Sequence, residues 1–464
     1  MMRRRGTAPS RDELGTAPIG RLVVGMSVPS ILGVMAYNLY NLLDMLLLSR
    51  GAGIDAVGGV AASFPLFVML SAVATTLGSG AASLMSRAFG RGDDETAARI
   101  AANTFLAFYA VAITVTVLGL VFLDPMLGAM GVTDTLLPQA RGYTRIILIG
   151  AVTGTGFSNL IRAEGASRYA MAIWVIPLSV NIALDALFVF GLSMGAVGAA
   201  LGTVLGQCVS MAMSVNFFVV SGRSRLRLRP RHFRPSPAVI GSILAIGAPT
   251  LLQLCGQSLA VIAVNRMLAG FGADPTPSAY GGDADLAIGA YGLAARLNAL
   301  LLFPVTGLAQ GIQPIIGFNH GARKPERVRG TVRLATLVAA VYGVAASLLA
   351  WRAGPLLLRL MTPDDATVRY GAAVLAIMSA GSACTGVAQI QATCAQAVGR
   401  RLAATVLSLL GQVIVFIPTA TALAARFGPA GIWWAFPASA AVASVAGSWW
   451  TWRLAGRVRA RASA

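Results

Sequence analysis

The amino-acid sequence predicts an all-α membrane protein with about twelve transmembrane helices in two six-helix lobes. Three observations predict this fold class: the composition, the number of long apolar segments, and a repeat that relates the two halves of the chain. Of the 464 residues, 56% are apolar and only 11% are charged, whereas soluble domains carry about a quarter charged residues. The mean hydropathy is +0.73, as expected of a chain that crosses a membrane many times.

The predicted helices are runs of 18 or more mostly apolar residues, long enough to cross a bilayer. They lie near 22–48, 57–86, 97–123, 135–161, 169–191, 196–220, 238–269, 286–318, 328–351, 367–396, 402–425 and 430–452. Because their number is even, both ends of the chain are expected on the same side of the membrane.

The charge of the chain follows this topology. Lys and Arg outnumber Asp and Glu by 36 to 17, and they concentrate in alternate connections, such as SGRSRLRLRPRHFRP after the sixth segment. Basic residues accumulate on the cytoplasmic side of membranes, so both termini and this connection are expected there, and no nucleic-acid partner is expected. The predicted organisation is a cytoplasmic segment 1–21, an N-lobe 22–220, a basic cytoplasmic linker 221–237, a C-lobe 238–453 and a cytoplasmic tail 454–464.

Sequence landmarks of the first half recur in the second half at a nearly constant spacing. The glycines of GSGAASLMSRAFG, Gly80 and Gly90, match Gly311 and Gly321 in QGIQPIIGFNHG. Each half holds six predicted helices, so the two copies have the same orientation across the membrane. Parallel repeats of this kind are typical of secondary transporters, whose site lies between or within two lobes.

Two carboxylates, Asp44 and Asp185, lie inside the apolar segments. An ionisable group there costs about 2.5 to 3.5 kcal/mol, so it is by default a functional-site hypothesis. Residues four apart share a helix face, which puts Tyr40 beside Asp44 and Asn181 beside Asp185, and Thr203 lies at a similar depth. Such an oxygen-rich group suits either protons or sodium. A polar network that only joins helices remains the alternative.

Three stretches of these helices carry a resemblance to known proteins. They are YNLYNLLDMLLLSRGAG, FPLFVMLSAVATTLGSGAASLMSRAFGRGD and NIALDALFVFGLSMGAVGAALGT. They resemble the multidrug and toxic compound extrusion (MATE) transporters, in the branch of the DinF and MepA type exporters. The resemblance implies two six-helix lobes around a central cavity, cation-coupled efflux, and an N-lobe coupling site. The residues that correspond to that site are Asp44, Asp185, Asn181 and Thr203, with Tyr40 nearby.

A sister branch of the family places sodium-binding acids in the C-lobe, and this chain departs from that pattern. The corresponding helices offer amides and no carboxylate, namely Gln253, Gln257, Asn265, Gln310 and Gln391. Coupling through the N-lobe, by protons first and sodium second, is therefore the hypothesis. Gln253, Gln257 and Gln310 are candidates for the substrate cavity. Arg296 is a further candidate, although its long side chain could also snorkel to the interface.

The predicted function is a cation-coupled antiporter of the cytoplasmic membrane that exports amphipathic, often cationic compounds. It is expected to act as a monomer, without a cofactor, and not as an enzyme. Two alternatives stay open: a flippase for lipid-linked oligosaccharides, which needs a cationic cavity hinted at by Arg266 and Arg296, and a membrane enzyme acting on lipid. Glu164, in RAEGASR, is predicted to be a solvated charge in a cytoplasmic loop.

Overall fold

The structure is a computed structural model that describes residues 11–130, 132, 136–154, 157–271 and 284–462. These residues form helices and their connections. The first-half helices are α1 (Arg11–Thr16), α2 (Ile19–Arg91), α3 (Asp94–Val121), α4 (Leu123–Ala129), α5 (Leu137–Gly150), α6 (Ser158–Ala163), α7 (Ser167–Asp185) and α8 (Gly195–Val215). The second-half helices are α9 (Pro237–Phe271), α10 (Ala284–Gly321), α11 (Pro325–Arg359), α12 (Asp365–Ser379), α13 (Ser382–Ala397), α14 (Arg401–Leu409), α15 (Phe416–Phe427) and α16 (Pro429–Ala462).

The described residues contain 11 helical segments long and apolar enough to cross a membrane, and the bent pair α12 and α13 makes up to 12. This count confirms the predicted all-α fold class. The first two predicted spans are joined in one continuous helix, α2, because the connection expected between them is helical. Its glycines weaken a helix by about 1 kcal/mol each, but no proline lies between Pro29 and Pro65 to remove a backbone donor. The external loop 272–283 lies outside the described residues.

The described chain forms two compact units whose boundaries fall inside helices. Unit 1 is built on Val28–Gly247, and unit 2 on Pro18–Ser27 and Ala248–Ala464. The first residues of α9 thus belong to unit 1, and the first residues of α2 to unit 2. Each boundary comes just before a proline, Pro29 in α2 and Pro249 in α9. The lobe bounds drawn from the sequence stay predictions.

Glycines allow the first residues of α9 to pack within unit 1 and the first residues of α2 to pack within unit 2, an arrangement called here the exchange of helix starts. A Cβ atom at Gly80 would lie 2.1 Å from the carbonyl oxygen of Ile243, so α2 and the start of α9 approach closely within unit 1. The repeat-related Gly311 does the same in unit 2, where a Cβ would lie 2.5 Å from the Cα of Ser27. Small residues at such crossings allow helix backbones to pack in a membrane without side chains between them.

Glu164 anchors the connection between the repeats to unit 1. Its carboxylate accepts hydrogen bonds of 2.8 Å from the hydroxyl of Ser224 and 2.8 Å from the backbone N–H of Arg225. The side chain is only 2% exposed, so the prediction of a solvated loop charge was wrong. The connection between the repeats covers the loop that carries Glu164. The local sequence around Glu164 does not reveal this cover. Burial raises the pKa of Glu164 to about 7.

The same connection is held at two further points. Glu95, at the start of α3, forms an ion pair with Arg231, with 2.9 Å between Oε2 and Nη2. Its Oε1 lies 3.0 Å from Nε2 of the buried His232. The amide oxygen of Asn103 accepts the backbone N–H of Ser236 at 2.8 Å. Residues 221–236 therefore form a strap fixed along its length to unit 1.

Candidate functional site

The candidate site is built around the end of α7, in unit 1. The α-helix ends at Asp185, and a π-helix, Ala186–Gly191, follows at once. Such π-helical turns are uncommon and recur at functional sites. Asn181 and Asp185 are 3% and 1% exposed, and the Asn181 amide donates to Oδ1 of Asp185 at 3.3 Å. One helix turn thus presents an amide and a carboxyl group to the same buried space.

The neighbouring helix α8 makes room for this carboxyl group with glycines. Gly198, Gly202 and Gly206 recur every four residues, so they lie on one face of α8. A Cβ atom at Gly202 would lie 2.0 Å from Oδ1 of Asp185, and one at Gly206 would lie 3.0 Å from Cβ of Asn181. The acid is therefore seated directly against the backbone of α8.

The first-helix acid reaches the same place. The half-buried carboxyl group of Asp44 lies beside that of Asp185. One turn before it, the hydroxyl of Tyr40 lies 3.4 Å from that of Thr203. The structure therefore brings together all five residues that the sequence singled out in the N-lobe. Because two carboxyl groups in contact are both acceptors when ionised, the pair is stable when it holds a proton between them.

The carboxyl pair has apolar neighbours, and some of the buried oxygens around it lack hydrogen-bond donors. Tyr143 of α5 lies within electrostatic range of both acids, and it belongs to an apolar cluster with Leu48 and Val189. Among the described residues, no hydrogen bond is made by the buried Oδ2 of Asp185 or Oδ1 of Asn181. Buried oxygens without donors favour a bound proton, water or cation. Sequence reasoning missed Tyr143, since no spacing rule relates α5 to the acids.

The amides predicted for a substrate cavity lie in unit 2. Gln253 and Gln257 lie one turn apart on α9, half-buried and exposed, and Gln310 lies on α10. One pocket in unit 2, with a volume of about 420 Å³, is lined by Arg296 and Asn265 and by none of these three glutamines. Gln391 is buried and donates to the hydroxyl of Ser448 at 2.7 Å, so it joins α13 to α16.

A membrane protein made of two parallel six-span repeats, with ionisable groups inside one of them, has the build of a secondary transporter. The MatE family model matches residues 29–187 and 249–421, which is most of each repeat. The chain therefore belongs to the MatE family of transporters, as its sequence motifs predicted. It is not an enzyme, and the alternative of a lipid-modifying membrane enzyme was wrong.

Individual relatives cover nearly the whole chain. It is 23% identical over 421 residues to the multidrug export protein MepA of Staphylococcus aureus (strain MRSA252), covering 90% of each chain. It is 25% identical over 419 residues to an FAD transporter of Shewanella oneidensis, covering 88% of this chain and 89% of that one. A solved outward-facing multidrug resistance MATE family transporter of the MOP superfamily has the same fold, with a TM-score of 0.89 at 23% identity over 98% of this chain and 99% of the other.

Proposed function

We propose that this transporter is an antiporter that exports amphipathic, often cationic small molecules from the cytoplasm, driven by an ion that binds at Asp44 and Asp185. The coupling ion is a proton, with sodium as the second candidate. The observation that carries the proposal is that the half-buried carboxyl group of Asp44 lies beside the buried carboxyl group of Asp185. The multidrug export named for the relative from Staphylococcus aureus supports the substrate class.

Protonation of the carboxyl pair can change the conformation directly, because it changes the repulsion between the two groups. Loss of the shared proton leaves two negative charges in contact, and their repulsion and poor solvation favour separation of α2 from α7. Uptake of a proton from outside lets the two carboxyl groups come together again. The helices then leave the arrangement that binds substrate, and the substrate is released. A proton that enters the cell gains about 2.3 kcal/mol per 100 mV, which sustains roughly a fifty-fold substrate gradient.

Transport in inverted membrane vesicles tests this proposal. Uptake of a fluorescent cation such as ethidium is followed under an imposed pH gradient or an imposed sodium gradient. We expect Asp44→Asn and Asp185→Asn each to abolish gradient-driven uptake, because an amide cannot take up or release the coupling proton. Asp364→Asn, which changes an acid at the exposed start of α12, is the matched control and should transport normally.

Two results decide between the possibilities. Normal transport by both site variants would refute the assignment of the coupling site. Uptake driven by sodium at clamped pH, and lost in the same variants, would keep the site and replace the proton by sodium.

A further inference from the structure

A pocket in unit 2 lies between α9 and α10. Its volume is about 420 Å³, which is within the range of sites for drug-sized ligands. The polar groups of its wall are Arg296, Asn265 and Tyr291, and the remaining wall is apolar, with Val261, Ile288 and Ala299. The pocket is therefore a mostly apolar space with one positive charge.

Arg296 lies inside a helix that is long and apolar enough to cross a membrane. It comes twelve residues after Ala284, the first residue of α10, and a helix rises about 1.5 Å per residue. Its Cα atom thus lies about 18 Å from the N-terminal end of the helix, and the apolar core of a bilayer is about 30 Å thick. A charge at that depth is stable only where water or a counter-charge reaches it.

Within the described residues, no ion pair neutralises this arginine. From residue 237 to residue 453 the only acids are Asp274, Asp283, Asp285, Glu326, Asp364 and Asp365, all in connections or in the first turn of a helix. The ion pairs within the described part of the chain do not include Arg296. Its side chain is exposed at the pocket wall, so its donors are available to a bound molecule.

One residue of the wall, Tyr291, is aromatic and packs against a buried ring. Tyr291, one turn before Ala295, stacks on Trp433 with ring centroids 5.5 Å apart and an interplanar angle of 27°. Trp433 is 1% exposed and also lies beside Tyr370, so the stack is locked by the core of unit 2. The Asn265 side chain adds an amide, which donates and accepts hydrogen bonds.

We infer that this pocket binds the anionic group of an aromatic substrate, a carboxylate or phosphate, through the guanidinium group of Arg296. The inference rests on the export function proposed above and narrows its substrate class: the cargo includes aromatic zwitterions and anions as well as simple cations. A guanidinium fork matches a planar oxyanion in two parallel hydrogen bonds, which a lysine cannot reproduce. The aromatic part of the substrate lies against the apolar wall near Tyr291.

A pair of dyes that differ only at this group provides the test. Rhodamine 110 carries a free carboxylate, and rhodamine 123 is its methyl ester with the same cationic ring system. Binding of each dye to the full-length protein in lipid nanodiscs is measured by fluorescence anisotropy. For Arg296→Gln we expect about a tenfold weaker binding of rhodamine 110 and less than about a twofold change for rhodamine 123. Arg296→Lys should recover part of the loss.

Arg266→Gln is the matched control, because Arg266 is the other arginine inside α9 and α10 and does not line the pocket. Equal weakening of both dyes, or unchanged binding of rhodamine 110, would overturn the inference. If the glutamine variant does not fold, the wild-type protein decides: the free-carboxylate dye must bind more tightly than the ester, and equal affinities overturn the inference. The assay contains no ion gradient, so its failure leaves the coupling proposal untouched. Normal transport by Asp44→Asn likewise leaves the binding result untouched.

Discussion

Replacing Gly202 by alanine tests how tightly the acid of α7 is seated. The new Cβ atom would lie 2.0 Å from Oδ1 of Asp185 and 3.2 Å from Nδ2 of Asn181. An ordinary contact needs at least about 3.4 Å, so the carboxyl group must move by more than about 1 Å. The cost of such overpacking is about 1 to 3 kcal/mol, partly offset by up to about 1 kcal/mol from the better helix propensity of alanine.

The displaced atom is the end of a side chain, so the variant should fold while the carboxyl group of Asp185 is pushed out of its position against α8. We expect gradient-driven uptake of ethidium into inverted vesicles to fall at least tenfold, since a displacement of about 1 Å in a functional group can cost on the order of 100-fold. Gly289→Ala is the control, because a Cβ at that position meets nothing within 4 Å. Full gradient-driven transport by folded Gly202→Ala would refute the reasoning that the acid must lie against α8.

Three further predictions concern stability, measured by thermal unfolding of the purified protein in detergent. Burial raises the pKa of Glu164 from 4.5 to about 7, so the folded state binds the proton more tightly than the unfolded state. Stability should therefore fall as pH rises from about 4.5 through 7. Glu164→Gln should remove that part of the decline, and parallel plots of stability against pH for the wild type and the variant would contradict the assignment. Asp93 caps α3 by accepting a hydrogen bond from the backbone N–H of Thr96 at 2.9 Å, and Asp93→Ala should cost about 1 kcal/mol of stability. The hydrogen bonds from Thr96 lower the pKa of Asp93, so the difference in stability between the wild type and the variant should shrink in acid. Trp433→Ala should cost about 3 to 5 kcal/mol, whereas the same change at the neighbouring Trp434, which is 56% exposed, should cost much less, and similar losses would show that the core of unit 2 lies elsewhere.

The sequence predicted the parts of this molecule that depend on local spacing. Helical periodicity paired Asn181 with Asp185, and hydropathy and length located the membrane spans. Similar depth predicted that Asp44, Asp185 and Thr203 could meet, and the structure places the hydroxyl of Tyr40, one turn from Asp44, beside that of Thr203, 163 positions away. Depth and helix face are properties that a single chain reveals directly.

What the sequence did not predict depends on packing between distant segments. Gly202 looks like any small residue of a membrane helix until Asp185 is placed against it. Glu164 has the local sequence of a solvated loop charge and is buried only because the strap of residues 221–236 lies over it. The connection near 49–56 was expected because the apolar run is interrupted there, but the glycines in it weaken a helix without ending it.

The exchange of helix starts described above bears on how the protein is made. Unit 1 needs Pro237–Gly247 against Gly80, yet these residues are synthesised after the strap. The first repeat alone therefore lacks the segment that packs against the backbone around Gly80. Each unit contains residues from both repeats, so neither repeat alone contains a whole unit.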